Sequence, residues 1–189
     1  MDETDQKILS KLRVDGRTTL KDLSKITGYT SMGIKKRLSN ILKKDVAKIS
    51  SLLNIESLNL NAAIVMMEIE NTDAMQKLLE RFRKCPRVVH IFKTLGGFNL
   101  IGLVVAEDKD TLESISIEKC SLRSSEGIRR SEFYPIGEIY YSQFLPIREE
   151  LTHKNRTRTP CGLHCKPCHR YEAEKCVGCP ATVFYKGQL

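Results

Sequence analysis

The apolar residues of the first 45 positions recur every three or four residues, which is the spacing of amphipathic helices. One such segment spans residues 2–13. Two more lie within residues 18–45 and carry Leu20, Leu23 and Ile26, followed by Ile34, Leu38 and Ile41. Gly28 and Tyr29 separate the second and third segments, and Thr30 stands where an N-cap is needed. The pattern predicts three short helices, of which the last two form a helix-turn-helix.

The third helix has a polar face opposite its apolar one. A helix that packs on one side and presents Lys, Ser and Asn on the other suits the major groove of DNA, whereas an ordinary solvated hairpin is the alternative. We expect contacts to base edges or nearby phosphates from Lys36, Ser39 and Asn40. We expect phosphate contacts from Lys35, Arg37 and Lys43.

Several residues of this unit have a second possible role. Arg37 lies near the apolar flank of its helix, so an ion pair with an acid inside the unit is the alternative to a phosphate contact. Thr30 and Ser31 are placed to donate to phosphate or to cap the helix. Arg17 is placed either to contact the DNA backbone or to support the fold.

Beyond residue 61 the pattern changes to short apolar strands that alternate with helices. Strands are predicted over 62–70, 88–95, 98–106 and from 127 to 134, and helices over 73–84 and 108–120. This β-α-β-β-α-β order predicts an antiparallel sheet with helices on one face. Because the strands are strongly apolar, we expect a partner subunit on the other face. Residues 46–53 predict a wing or a connecting strand, and residues 54–61 a hinge.

Charge is distributed unevenly along the 189 residues. The formal net charge is +8, and residues 1–50 hold 12 Lys and Arg against 6 Asp and Glu. A basic head on a slightly acidic body indicates a local site for a polyanion, here double-stranded DNA. The chain has no apolar run long enough to span a membrane, and an acidic segment follows Met1 in place of a signal peptide, so a cytoplasmic location is expected.

Five of the seven cysteines crowd into the last 29 residues. After a polar segment over 146–160, read as a linker, the chain has two C-x2-C pairs. Its cysteines are Cys161, Cys165, Cys168, Cys176 and Cys179. Short turns of this kind point two thiolates at one metal ion. The spacing predicts a metal-binding module, whereas Cys85, Cys120 and His90 are expected to be packed in the domain that precedes it.

Two metal centres fit this spacing. Cys165, Cys168, Cys176 and Cys179 would close a four-thiolate structural zinc site and leave Cys161 spare, and His164 or His169 is an alternative ligand. The C-x3-C-x2-C string with a further Cys-Pro also suits an iron–sulfur cluster. Zinc is the favoured interpretation and the cluster is the alternative.

A set of motifs runs through the chain from Met1 to about Ile139. Its members are Asp2, Asp5, Ile8-Leu9, Asp15-Gly16-Arg17, Asp22-Leu23, Gly28-Tyr29-Thr30, Arg37-Leu38, residues 94–100 (TLGGFNL) and Gly127-Ile128. In the order and spacing of these residues the chain resembles the Lrp/AsnC (leucine-responsive regulatory protein) family of transcription regulators. The resemblance implies a helix-turn-helix head, a ligand-regulated βαββαβ domain, dimers that often assemble further and, in many members, an amino-acid effector. It places the effector site at Thr94, Gly96, Gly97, Phe98 and Asn99.

The chain departs from the family pattern at two positions. Lys44-Asp45-Val46 replaces the glycine-containing turn that usually precedes the wing, and Asn99 stands where an acidic residue is common. An uncharged amide is a weaker partner for an amino group than a carboxylate. A simple hairpin turn is therefore the alternative interpretation of Gly96-Gly97.

These observations predict an α+β protein with four parts. They are a (winged) helix-turn-helix domain over 1–53, a ferredoxin-like βαββαβ regulatory and dimerisation domain over 62–145, the linker, and a metal-binding knob over 161–189. The predicted function is an oligomeric, sequence-specific DNA-binding regulator rather than an enzyme, with the knob as a metal-dependent input or only a stabilising element. The alternatives are a haem-pathway decarboxylase with the same architecture, which depends on His90, and an iron–sulfur redox sensor.

Overall fold

The first 51 residues fold as three helices around a small apolar core. In this computed structural model, which describes residues 1–147 and 155–188, the helices are α1 (Glu3–Val14), α2 (Leu20–Thr27) and α3 (Ser31–Lys43). Ile8, Leu23 and Ile34 are almost completely buried against one another. The three predicted helices are confirmed, but Ile26, which the pattern assigns to the apolar face of α2, is 49% exposed.

Local hydrogen bonds explain where these helices begin and end. Asp2 and Asp5 form a reciprocal capping box at α1, and the side chain of Thr30 accepts from the N–H of Gly33 at α3. Gly28 ends α2 in the left-handed region, at φ 75°. Asp45 adopts the same region, at φ 55°, after α3. An aspartate tolerates this conformation, so the chain turns here without the glycine common in the family.

The chain separates into two compact units, Met1–Ser51 and Leu52–Leu189. Residues 46–52 form neither of the two structures predicted for residues 46–53, and only Leu53 belongs to a strand. Leu53–Asn54 forms β1, which pairs with β6 (Phe144–Leu145), and no wing hairpin forms in this part of the described chain. Asn54 also accepts from the N–H groups of Glu56 and Ser57, so the predicted hinge begins with an ordered turn.

A four-stranded antiparallel sheet forms the centre of the second unit. Its strands are β2 (Asn61–Ile69), β3 (Val88–Lys93), β4 (Leu100–Ala106) and β5 (Ile128–Pro135), in the order β3-β4-β2-β5. Helices α4 (Thr72–Phe82) and α5 (Lys109–Ile117) complete the βαββαβ pattern. The predicted helix over 108–120 ends earlier, and a short 3-10 helix at Leu122–Ser124 follows it.

Alternation along β2 divides the two faces of the sheet. Ala63, Val65 and Met67 are buried on the helix face, in one core with residues of α4 and α5. On the other face, Ala62, Val89 and Val105 cluster with Ile55. A row on that face stays partly open: Phe92 pairs across the sheet with Ile101, and Ile101 with Met66. Phe92 is 54% exposed.

The cysteine-rich segment belongs to the same compact unit as the sheet. Residues 148–154 of the predicted linker, and Leu189, lie outside the described residues. The segment contains one short helix, α6 (His169–Glu172), and Arg156 pairs with Thr182 in an isolated bridge. Ala181 and Thr182 are fully buried. No helix in the described part of the chain is long and apolar enough to cross a membrane.

Candidate DNA-binding face, effector loop and cysteine-lined cavity

Helix α3 presents the face that the sequence predicts for DNA. Ile34 and Ile41 turn into the head core, which leaves Lys35, Lys36, Asn40 and Lys43 exposed, with Ser39 half-buried. Among residues 1–147 and 155–188, no ion pair involves Lys35, Lys36 or Lys43. The three ammonium groups therefore have no acidic partner to give up when they meet phosphate.

Arg37 is engaged inside the head. Its guanidinium donates to Asp2 at 2.7 Å and to Asp5 at 3.0 Å, and it lies over the ring of Tyr29, 4.9 Å from the centroid. Of the two roles predicted for Arg37, the structure shows the internal ion pair. A phosphate contact by this side chain would require the pair to break. Together with the backbone N–H of Asp5, Arg37 lowers the pKa of the Asp2 carboxyl.

The remaining predicted DNA-binding residues lie at the start of α3 and in the turn between α1 and α2. Thr30 is the N-cap of α3, and the hydroxyl of Ser31 is 3.1 Å from that of Ser24 on α2. Both are exposed. The side chain of Arg17 is 95% exposed and lies 3.5 Å from a carboxylate oxygen of Asp15. Its contact with DNA stays a prediction.

Hydrogen bonds within the predicted effector loop hold its two ends together. Thr94 donates from its hydroxyl to the carbonyl of Phe98, and its N–H donates to the carbonyl of Asn99 at 3.1 Å. The side-chain oxygen of Asn99 accepts from the N–H of Ile69 at 2.8 Å, and its amide donates to the Ile69 carbonyl at 2.7 Å. Asn99 therefore fastens the loop to the end of β2.

Other side chains of this loop remain accessible. Gly96 and Gly97 are exposed, and the guanidinium of Arg130 lies 4.3 Å from the centroid of the Phe98 ring. His90, which we expected to be packed, is exposed on β3 beside Phe92. It is two positions from Phe92 on β3 and shares the partly open face of the sheet with that residue, so no core covers its ring.

All seven cysteines of the chain line one cavity of about 480 Å³ in the second unit. The cavity lies on the helix face of the sheet, where Val65, Val104 and Leu122 form part of its wall. Five thiols come from the cysteine-rich segment. Cys85 and Cys120 come from the regulatory domain, and sequence reasoning missed them as members of this group.

One sequence signal points to these two residues in retrospect. Cys85 lies three residues after the end of α4 at Phe82, and Cys120 lies three residues after the end of α5 at Ile117. They occupy equivalent positions in the two halves of the βαββαβ pattern. That both line one cavity follows from the packing of the two halves, which periodicity does not reveal.

Burial affects the protonation of several of these thiols. It raises the pKa of Cys85 to about 11 and that of Cys179 to about 12, and it also raises the pKa values of Cys120 and Cys165. These four are neutral thiols near pH 7 unless a cation displaces the proton. In the described part of the chain, no three His, Cys, Asp or Glu side chains are arranged to hold one metal ion.

Polar contacts fix the cysteine-rich segment to α5. Arg170 donates to the Ser114 hydroxyl at 2.6 Å and to the carboxylate of Glu113 at 2.7 Å. Ser114 in turn donates to the carbonyl of Lys175 at 2.8 Å, and the N–H of Val177 donates to the Thr111 hydroxyl at 3.2 Å. Ser114 and Thr111 are buried, so each of these bonds replaces hydration that the two hydroxyls have lost.

A buried ion pair makes the second attachment. Arg87, at the start of β3, pairs with Glu107, and its other nitrogen donates to the carbonyl of Gly178 at 2.6 Å. Tyr185 donates to the second oxygen of Glu107 at 2.6 Å. Gly178 has φ 83°, and a Cβ there would lie 2.8 Å from the carbonyl of Phe184. Glycine therefore allows this turn, which carries Cys176 and Cys179, to pack against the backbone of Phe184.

Two family descriptions match the chain. Residues 1–40 match the AsnC-type helix-turn-helix domain, and residues 62–143 match the Lrp/AsnC ligand binding domain. The chain belongs to the Lrp/AsnC family. It is a DNA-binding transcription regulator with a ligand-binding domain, and it is not an enzyme. The decarboxylase alternative is therefore rejected. The cysteine-rich segment lies beyond both matches.

Regulators from archaea are among the similar proteins. The HTH-type transcriptional regulator FL11 of Pyrococcus furiosus is 23% identical over 128 residues, which are 67% of this chain and 85% of that protein. An uncharacterized HTH-type transcriptional regulator of the same organism is 31% identical over 116 residues, which are 59% of this chain and 75% of that protein.

Solved structures show the same fold. AsnC of Escherichia coli has a TM-score of 0.65 at 18% identity, over 75% of this chain and 95% of that one. A transcriptional regulator of Neisseria meningitidis, solved as a complex with L-Met, has a TM-score of 0.68 at 23% identity, over 75% and 93% of the two chains.

The first prediction concerns the ion pair of Arg37. Arg37→Met keeps the side-chain stem and removes the charge, so we expect a lower unfolding temperature of the head at pH 7. Because the pKa of Asp2 is lowered in the fold, this stabilisation is complete above its ordinary value of 3.8 and is lost as the pH falls through the lowered value. Calorimetry at several pH values measures the difference in unfolding temperature between the wild type and the variant, and this difference should become smaller in acid. Lys7→Met, which removes an exposed pair with Glu3, is the control, and an equal effect of both substitutions at pH 7 would contradict the prediction.

The second prediction concerns Asn99. Asn99→Asp removes the donor to the Ile69 carbonyl and places a carboxylate against it, so we expect a loss of about 1–3 kcal/mol in the free energy of unfolding. Urea denaturation measures the loss. Asn59→Asp, at an exposed position with φ 52°, should change stability by less than about 0.5 kcal/mol. If Asn99→Asp is as stable as the control, Asn99 does not fasten the loop.

Proposed function

We propose that the regulator binds a near-palindromic DNA site as a homo-oligomer, with one α3 helix of each of two subunits in the major groove. The observation that carries this is the exposed Lys and Asn face of α3, whose opposite face closes the head core. Lys36, Ser39 and Asn40 are proposed to read base edges, and Lys35 and Lys43 to contact phosphates. Backbone N–H groups at the start of α3, with Thr30 and Ser31, are proposed to meet a further phosphate.

The homo-oligomer is proposed from the partly open face of the sheet. Phe92, Ile101 and Met66 form one cross-strand row, and Ile64 and Leu103 pair in the next. A contiguous apolar row of this kind is favourable to bury against a second subunit. Pairing two heads also sets the spacing of the two half-sites, which a single recognition helix does not specify.

A small-molecule effector is proposed to bind at the loop of residues 94–99. The amide of Asn99 is already bonded to Ile69, so exposed backbone at Gly96 and Gly97 and the Phe98 ring are the groups left to contact it. The Neisseria meningitidis relative was solved with L-Met. For this chain we propose a small molecule rather than an amino acid in particular, because Asn99 presents an amide, which is a weaker partner for an amino group than a carboxylate.

A metal is proposed for Cys161, Cys165, Cys168, Cys176 and Cys179. The support is their convergence on one cavity and the preference of thiolates for zinc and iron–sulfur centres. Structural zinc and an iron–sulfur cluster are the two candidates that the spacing of the cysteines in the sequence predicts. In either case the metal would act on the regulatory domain through the contacts of the segment with α5.

The third prediction tests DNA binding. The logarithm of the binding constant should fall linearly with the logarithm of the salt concentration, because Lys contacts release counterions from phosphate. Lys43→Ala should weaken binding to all sequences and reduce that slope by about 1 per contact, whereas Asn40→Ala should remove the preference at one base pair, worth about 1–3 kcal/mol. Fluorescence anisotropy on a duplex selected from a random pool measures both.

The control for these variants is Lys7→Ala. Lys7 is paired with Glu3 on α1, away from the recognition face, so its loss should leave the slope unchanged. Absence of DNA binding by the wild-type chain at low salt would refute the proposal. An equal loss for Lys7→Ala and Lys43→Ala would refute the assignment of the face to α3.

The fourth prediction tests the sheet face. Phe92→Asp places a charge in the apolar row, so the dissociation constant of the dimer should rise at least about tenfold. The side chain is 54% exposed in the subunit, so folding of the subunit should be preserved. Ile117→Asp, 61% exposed on the helix side, is the control. Sedimentation analysis measures assembly, and an unchanged dissociation constant for Phe92→Asp would place the interface elsewhere.

A further inference from the structure

Cys85 and Cys120 share their cavity with all five cysteines of the C-terminal segment. Cys85, Cys120 and Cys161 pack against the apolar core of the sheet, whereas the other four thiols belong to the two C-x2-C turns. Thiols of the two parts of the chain are neighbours in the cavity. Cys85 lies near Cys161 and Cys179. The cavity is therefore lined with sulfur from the regulatory domain as well as from the segment.

Cys120 makes the same connection from the other half of the domain. It lies near Cys161, Cys165 and Cys176. Cys161, which a four-thiolate zinc site leaves spare, thus lies near both cysteines of the regulatory domain. The seven thiols form one group, and a division into five metal ligands and two ordinary core residues does not describe it.

The number of thiols around the cavity distinguishes the two candidate centres. A structural zinc ion holds four sulfurs about 2.3 Å from itself, so it leaves any further thiol without a role. Here seven thiols line one cavity of about 480 Å³, three more than a zinc ion binds. A set of this size, contributed by two parts of the chain, suits a cluster, whose several irons and sulfides lie between the thiolates.

The surroundings of the cavity fit the same centre. Phe82, Ile115 and Leu122 give it an apolar wall, which limits the access of water to a cluster. Arg87 holds the carbonyl of Gly178, so the turn that carries Cys176 and Cys179 is fixed against the regulatory domain. Soft thiolate sets select zinc, copper(I) and iron–sulfur clusters, and the seven thiols around one cavity favour the last of these.

We propose that this cavity holds an iron–sulfur cluster whose cysteine ligands include Cys85 or Cys120, or both, together with cysteines of the C-terminal segment. The inference rests on the proposed function of that segment as a metal-binding element, and it adds the class of centre and the participation of the regulatory domain. A cluster held in this way joins the segment covalently to the ends of α4 and α5.

The fifth prediction is tested on the full chain, purified without oxygen and reconstituted with ferrous iron and sulfide. The wild type should contain iron and acid-labile sulfide together and absorb broadly in the visible. Iron per chain should fall about tenfold or more in the double variant Cys85→Ser with Cys120→Ser. Glu118→Gln, which changes a charged group on the cavity wall without removing a thiol, is the control and should keep the wild-type iron content.

Two results would overturn this inference and leave metal binding by the segment intact. One is zinc without sulfide in the wild type. The other is full iron in the double variant and its loss in Cys165→Ser with Cys168→Ser, which would confine the cluster to the segment. Absence of any metal in the wild type would refute both metal proposals, while DNA binding measured on the metal-free chain tests the regulator independently.

A labelling experiment on the wild type covers the case in which the double variant does not fold. Cysteine alkylation, read by mass spectrometry, is compared before and after reconstitution. We expect at least one of Cys85 and Cys120 to become protected by the cluster, together with cysteines of the segment. Equal labelling of both residues in the two states would overturn their assignment as ligands.

Discussion

The buried guanidinium of Arg87 needs partners from two parts of the chain. A charge removed from water is tolerated only when it is paired and hydrogen-bonded, and Glu107 alone does not satisfy the fork of donors. The carbonyl of Gly178 supplies the missing acceptor, and Tyr185 bonds to Glu107 from the same segment. The cysteine-rich segment is therefore part of the regulatory domain's packing, and the cavity exists because the segment is held there.

The helical head also depends on charged groups that are paired within the fold. Its core is small, with Ile8, Leu23 and Ile34 as its centre, so ion pairs and caps at its edge matter for its order. Arg37 joins α3 to the start of α1 through Asp2 and Asp5. The neighbouring lysines on α3 have the opposite property, because they are exposed and lack acidic partners among the described residues. Helix α3 therefore carries one cation that stabilises the head and several cations that are available to DNA.

The regulatory domain would connect the cysteine-lined cavity with the DNA-binding heads. The sheet face with Phe92 would set the spacing of two heads, and the opposite, helix-covered face carries the cavity. A centre bound there would act on α5, since Thr111 and Ser114 already bond to the segment. The bound centre and the subunit interface would then lie on opposite faces of one sheet.

Local periodicity and capping residues specify the three helices, the βαββαβ order and the polar face of α3, so these can be read from the sequence. The five clustered cysteines can be read in the same way, since their spacing is local. Tertiary packing is needed to see that Arg37 is paired internally, that Asn99 fastens its loop to Ile69, and that no wing hairpin forms in the described residues 46–53. It alone placed Cys85 and Cys120 with the other thiols, because they are far apart in the chain and meet only when both halves of the domain and the C-terminal segment pack together.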